Sequence, residues 1–209
     1  MRRSEETLPE TYAAWDVILH ELGHYICDRL DIIGYGGAHT FKGNLISLHN
    51  DKGIGVSIAW SETIATVLGL MIQDYFSDSL DNIYTVGDAV YTGFSQGTTY
   101  DCEYIDYRKG EGFESSTVGV LWDLFDSIEE AHDKISIDHR DYWMLLTNYG
   151  QINGATAANL SEFFNYLLSA DEFSTEQIFK LGEILSYHQI SPKNFSVDLS
   201  EDLPTFTWN

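Results

Sequence analysis

Hydrophobic residues recur at helical spacing over most of the chain. In several segments they return every three or four positions, the pattern of helices that bury one face. The second predicted helix is apolar almost all round, with Glu62 and Asp74 as nearly its only charges, so it should lie deep in the core. We expect Ser115 or Ser116 to cap the third. The predicted helices cover residues 9–30, 57–78, 117–131, 138–149, 159–170 and 174–187.

The remaining segments predict loops and a few strands. Residues 32–55 are rich in glycine and read as loop. Alternation of apolar and polar positions favours strands at 86–90 and 100–107. The tail after Pro192 is expected to be irregular. The predicted fold is therefore mainly α with a small β element, and residues 1–209 are expected to form a single domain.

Charge narrows the possible partners. The 209 residues include 33 Asp and Glu but only 11 Lys and Arg, a formal net charge of −22. Such a surface repels phosphate backbones and anionic lipids, so we expect no nucleic-acid partner. It serves solubility, or it attracts cationic substrates. We also expect no membrane insertion, because no run of about 18 apolar residues stands out.

The cysteine content leaves the redox state open. Cys27 and Cys102 allow one disulfide or none. Cys27 should lie on the first helix, where a buried free thiol is common. Sequence alone does not show whether the two residues lie within bonding distance.

The run His20-Glu21-Leu22-Gly23-His24 matches the H-E-x-x-H pattern of zinc hydrolases. Residues four apart lie on one helical face, so both imidazoles can bind one zinc ion. Glu21 can then reach a zinc-bound water, whose pKa falls to about 7. With 7 His in the chain, chance would produce the pattern roughly 0.02 times. We predict His20 and His24 as zinc ligands and Glu21 as the general base. The alternative is an ordinary helix with two surface histidines.

A third ligand is expected from a second helix. Glu62 is the only carboxylate between Asp51 and Asp74 and lies in an apolar segment. A lone buried charge is costly unless it is paired or metal-bound. We therefore favour Glu62, with His39, His49 and Asp51 of the glycine-rich loop as alternatives.

With these residues the chain resembles the gluzincins, which include the thermolysin and fungalysin families. Those enzymes carry the H-E-x-x-H helix and take a glutamate from a second helix, often in a setting like the Trp-Ser-Glu-Thr-Ile-Ala of residues 60–65. Residues 114–126 also resemble a Leu-Trp-Asp helix of fungalysin-like bacterial proteins. The likeness covers residues 10–190 in loose outline, but only the zinc motif is specific. It implies a zincin-like helical catalytic domain that hydrolyses peptide bonds by Glu-assisted attack of a zinc-bound water. It also favours a secreted or cell-envelope location.

The chain departs from the gluzincin pattern around the motif. His24 and Glu62 are 38 positions apart, more than is usual in thermolysin-like enzymes. Thr66 stands where those enzymes have an acidic residue that supports a ligand histidine. We expect another carboxylate, Asp123 or Asp126, to take over that support.

Two further parts of the gluzincin pattern are missing. No histidine precedes the helix predicted at 117–131 to stabilise the transition state, and Tyr104, Tyr107 or Arg108 are candidates to replace it. Zincins also place a β-sheet before the motif, which here begins at position 20. We therefore expect this chain to be the C-terminal, helical part of a longer catalytic domain.

Three functions remain open at this point. The first is a zinc metallopeptidase acting on proteins or peptides. The second is a catalytically weak or inactive zincin-fold binding protein that retains a zinc site. The third is a helical interaction module with an accidental motif. Glu21 favours the first, because a purely structural zinc needs no base.

Overall fold

The computed structural model describes residues 13–33, 54–76, 90–92, 99–102, 109–126, 132–153, 159–169, 173–191, 195–198 and 205–208. Over these residues the chain is mainly helical, which confirms the predicted class. The helices are α1 (Ala13–Arg29), α2 (Ile54–Phe76), α3 (Glu114–Asp123), α4 (His139–Asn153), α5 (Leu160–Ser169) and α6 (Thr175–Tyr187). The strands are β1 (Val90–Thr92), β2 (Thr99–Asp101), β3 (Phe195–Asp198) and β4 (Thr205–Trp208).

Helix α3 is shorter than the sequence predicts and is capped differently. It ends at Asp123 instead of near residue 131. Leu124 and Phe125 are buried, and the backbone N–H of Ile137 donates to the carbonyl of Leu124 at 2.9 Å. A following segment thus takes a backbone bond that a longer helix would have used internally.

The predicted serine cap of α3 is wrong. The N-cap residue is Phe113, which makes no side-chain capping bond. The hydroxyl of Ser116 instead accepts from the N–H of Gly110 at 3.2 Å. It also lies 3.4 Å from the carbonyl of His188, to which it donates. The serine therefore fastens the start of α3 to the end of α6.

Both hairpins are antiparallel. In the first, Val90 pairs with Asp101, close to the predicted strands. The second pairs Phe195 with Trp208, so the expectation of an irregular tail after Pro192 is wrong. Each of its strands has only four residues, too few for alternation alone to indicate a strand.

Helix α2 forms the centre of the core, with α1 and α3 packed against it. Side chains from Ala59 to Met71 are buried around its whole circumference. Gly23 of α1 lies directly against the backbone of Ala65, since a Cβ built on Gly23 would be 2.6 Å from the Ala65 carbonyl oxygen. On the other side the hydroxyl groups of Thr63 and Thr117 share a short hydrogen bond.

The window Val56–Phe76 is long and apolar enough to cross a membrane, with a mean hydropathy of 1.3. The sequence-based expectation overlooked it because Glu62 and Asp74 interrupt the apolar run. Of that window, 72% is buried inside the protein. The core helix of a folded domain passes the same test of length and composition.

The cysteines do not form a disulfide. Cys27 and Cys102 are both free and buried. Burial raises the pKa of the Cys27 thiol well above its usual value. Cys27 therefore behaves as a small core residue, the second of the two alternatives that the sequence left open.

Candidate metal centre

Helix α1 has two distinct faces. His20, Gly23 and His24 lie one helical turn apart and face α2, and His20 is almost fully buried. Glu21 and Tyr25 lie on the exposed side. Because Gly23 has no side chain, the helices approach closely enough for the histidines to reach across to α2.

Helix α2 presents Glu62 and Thr66 to these histidines. The two residues are one turn apart, with the small Ala65 between them and Gly69 one turn further on. Glu62 is only 4% exposed. The small residues bring the α2 backbone near α1, so that the carboxylate and hydroxyl lie at the level of the imidazoles.

Three ligand atoms form a compact triangle. His20 Nε2 is 3.1 Å from Glu62 Oε2 and 3.0 Å from His24 Nε2, and His24 Nε2 is 3.3 Å from Glu62 Oε2. Atoms that bind one tetrahedral zinc ion at 2.0–2.1 Å are about 3.3 Å apart. The triangle therefore fits a small divalent cation with little rearrangement.

The polarity of the triangle also suits a cation. A buried carboxylate is costly unless positive charge lies near it. Glu62 Oε2 faces both imidazole Nε2 atoms. Either a proton on one ring or a metal ion among the three atoms would supply that charge. Metal binding requires neutral histidine, with the lone pair of Nε2 free.

Thr66 orients the first histidine. Its Oγ1 lies 3.0 Å from His20 Nδ1, so the ring can donate there while Nε2 faces Glu62. The expectation that Asp123 or Asp126 would support a ligand histidine is thus corrected, since Thr66 itself takes the role. Asp123 Oδ2 instead lies 2.8 Å from Nε2 of His188. A hydroxyl four residues after Glu62, on the same helical face, was the signal that could have identified Thr66.

The structure brings together His20, His24 and Glu62, and it leaves Glu21 exposed beside them. Six other candidates from the sequence lie outside the described residues. They are the alternative ligands His39, His49 and Asp51 and the possible oxyanion donors Tyr104, Tyr107 and Arg108.

No protein-family model matches the chain, and comparison with curated proteins and with solved structures finds no significant match. The resemblance to gluzincins therefore rests on the motif residues of the sequence alone.

Proposed function

We propose that this protein is a zinc-dependent metallopeptidase. His20, His24 and Glu62 would hold the zinc ion, and Glu21 would act as general base. The observation that carries the proposal is the triangle of two imidazole nitrogens and one carboxylate oxygen, with sides of 3.0 to 3.3 Å. The histidines lie on one helix and the glutamate on another that is distant in sequence. Proximity along the chain therefore does not explain why the three groups meet.

The donor set favours zinc as the metal. Two imidazoles and one carboxylate suit zinc better than calcium or magnesium, which prefer oxygen ligands. Three protein ligands are typical of a catalytic zinc site, in which a fourth position stays open. When bound there, zinc would supply Lewis acidity, which polarises a carbonyl group and acidifies water.

Glu21 is suited to move the proton. It follows His20 directly but is exposed, so its carboxylate is not confined between the helices with the ligands. It would accept the proton of the attacking water and pass it to the leaving amine nitrogen. Thr66 would keep His20 in the tautomer whose Nε2 is free for the metal.

Exposed apolar side chains surround the base. Ile18, Leu22 and Tyr25 are 52%, 40% and 63% exposed. Together with Glu21 they occupy helical positions i, i+3, i+4 and i+7, so they share one face. Apolar side chains next to the base support a substrate with apolar groups, as in a peptide. The likeness to gluzincins supports the same class of substrate.

The test is the Glu21→Gln variant. We expect it to lose at least about 100-fold in cleavage rate, the typical contribution of a general base, while zinc content stays at the wild-type level. Cleavage is measured as new termini in a peptide library by mass spectrometry, and zinc by elemental analysis. Asp28→Asn is the matched control, because Asp28 is an exposed acidic residue of the same helix.

Two results would contradict the proposal. Cleavage by Glu21→Gln at the wild-type rate would remove Glu21 from the mechanism. A wild-type protein that holds zinc through His20 and His24 yet cleaves nothing in the library would favour the non-enzymatic zincin-fold binding protein.

A further inference from the structure

A second group of metal-binding side chains lies away from the proposed active site. Asp123 is the last residue of α3, and His188 caps the C-terminus of α6. His132 belongs to the segment that leads to α4. Three separate parts of the chain therefore contribute one residue each.

The side chains converge on a single carboxylate oxygen. Nε2 of His188 lies 2.8 Å from Asp123 Oδ2, and Nε2 of His132 lies 3.4 Å from the same atom. All three ligand atoms lie within 4.8 Å of one another. Asp123 and His188 are buried, and His132 is half-buried.

Neighbouring residues fix the positions of the imidazole rings of His132 and His188. The ring of His132 stacks on Tyr187 with centroids 3.5 Å apart. Lys109 fixes that tyrosine by donating from Nζ to its carbonyl at 2.6 Å. The ring of His188 is fully buried and directs Nε2 at the carboxylate of Asp123.

Two further carboxylates border the group. Asp126 and Asp133 are buried, and each can place an oxygen within 4.8 Å of one from Asp123. Buried carboxylates this close repel one another unless protons or a cation lie between them. A divalent ion bound at Asp123 would reduce that repulsion.

We propose that Asp123, His132 and His188 form a second metal site, which binds zinc or another first-row divalent ion. Two imidazoles and a carboxylate favour such ions over calcium and magnesium. With a water molecule as the fourth ligand the ion would be four-coordinate. The ion would tie the end of α3 to the end of α6 and to the segment before α4.

This site is separate from the proposed active site. Thr117 contacts Thr63, next to Glu62, and Asp123 follows six residues later, about 9 Å along the axis of α3. Its residues are different, so the inference does not depend on the proposed function.

The experiment counts zinc sites with ZnCl₂ as the only added ligand. We expect two equivalents in the wild-type protein, one in His132→Ala, and two in His139→Ala. His139 is the control because it belongs to neither site and pairs with Asp74. Equilibrium dialysis followed by elemental analysis gives the counts, and circular dichroism verifies folding of each variant.

Affinity is then measured without the first site. In a His20→Ala/His24→Ala background we expect one remaining zinc, resistant to millimolar CaCl₂. Adding His132→Ala should weaken it by more than about 100-fold, because loss of even a supporting partner costs 10- to 100-fold. Cobalt(II) in the same background should give the visible absorption of a four-coordinate site.

The outcomes are distinguishable. A single zinc in the wild-type protein, unchanged by His132→Ala, would overturn the second site and show that the Asp–His contacts are hydrogen bonds alone. Displacement by calcium would overturn the assigned donor set and point to the three aspartates. Two equivalents that persist in His20→Ala/His24→Ala would instead contradict the proposed active site.

Discussion

At the scale of single residues, the proposed zinc site depends on which nitrogen of His20 carries the proton. The 3.0 Å contact with Thr66 Oγ1 places the hydrogen on Nδ1 when the hydroxyl accepts, and Nε2 is then free. The hydroxyl of Thr66 accepts this hydrogen bond without adding a negative charge to the site. Among these groups the negative charge comes from Glu62, whose Oε2 faces both imidazole rings.

Thr66→Val should weaken zinc binding by 10- to 100-fold, because it keeps the shape of the side chain and removes the hydrogen bond to His20. Thr66→Ser, which retains a hydroxyl, should stay within a few-fold of wild type. Competition with a chromophoric chelator measures both affinities. Equal affinities of the valine and serine variants would mean that Thr66 only fills space.

The sequence identified some site residues and missed others for a physical reason. His20, Glu21 and His24 lie within five consecutive positions, so helical spacing alone brings the histidines together. Glu62 stood out as a lone charge among apolar residues. The position of Thr66 was noted, but its supporting contact was missed because a carboxylate was expected in that place and a hydroxyl carries no charge that marks it as a partner of histidine.

The second cluster was missed because it has no local spacing. Asp123, His132 and His188 come from three segments of the chain, and their side chains meet at the C-terminal ends of α3 and α6. Long-range proximity of this kind depends on packing, which a single sequence does not reveal.

At the scale of elements, the site requires α1 and α2 to pack closely at Gly23. Gly23→Ala would bring a Cβ to 2.6 Å from the carbonyl oxygen of Ala65, a backbone atom that cannot rotate away. The helices must then separate, which should destabilise the protein by about 1–3 kcal/mol. Zinc affinity should fall as well, because His20 and His24 move away from Glu62.

Gly69→Ala is the matched control for that variant. Its Cβ would lie 3.3 Å from two backbone atoms, His20 N and Leu19 C, a tight contact but a longer one than the 2.6 Å at Gly23. Alanine also favours the helix by roughly 0.5–1 kcal/mol over glycine, which offsets part of the strain. Urea unfolding should therefore show a clear loss for Gly23→Ala and a smaller one for Gly69→Ala. Equal losses would show that close packing at Gly23 is not what positions the site.

The ends of a helix could be predicted where a long run of apolar residues defines it. They could not be predicted where the apolar pattern continues beyond the end of the helix. The apolar run around α2 gave its extent within a few residues. The end of α3 at Asp123 was not predictable, because Leu124 and Phe125 continue the helical pattern. Both are buried in the core, and the carbonyl of Leu124 accepts a hydrogen bond from Ile137 instead of from a further helical turn.

At the scale of the whole molecule, bound metal should contribute to stability. The ligands of the proposed active site belong to two helices joined by a long connection, so a metal ion that bridges them binds the folded chain much more tightly than the unfolded one. At a free zinc concentration 100 times the dissociation constant, one such site adds about 2.7 kcal/mol to the free energy of unfolding. For a chain of this size that corresponds to roughly 5–10 °C in the midpoint of thermal unfolding.

Chelation with EDTA should therefore lower the unfolding midpoint, and added zinc should restore it. The net charge of −22 makes a control essential, since such a surface attracts any divalent cation and loses self-repulsion in its presence. Magnesium at the same concentration reproduces that general effect but does not suit a site with two imidazoles. Recovery with zinc but not with magnesium, followed by circular dichroism, would separate site binding from charge screening. Equal recovery with both ions would attribute the stabilisation to the acidic surface.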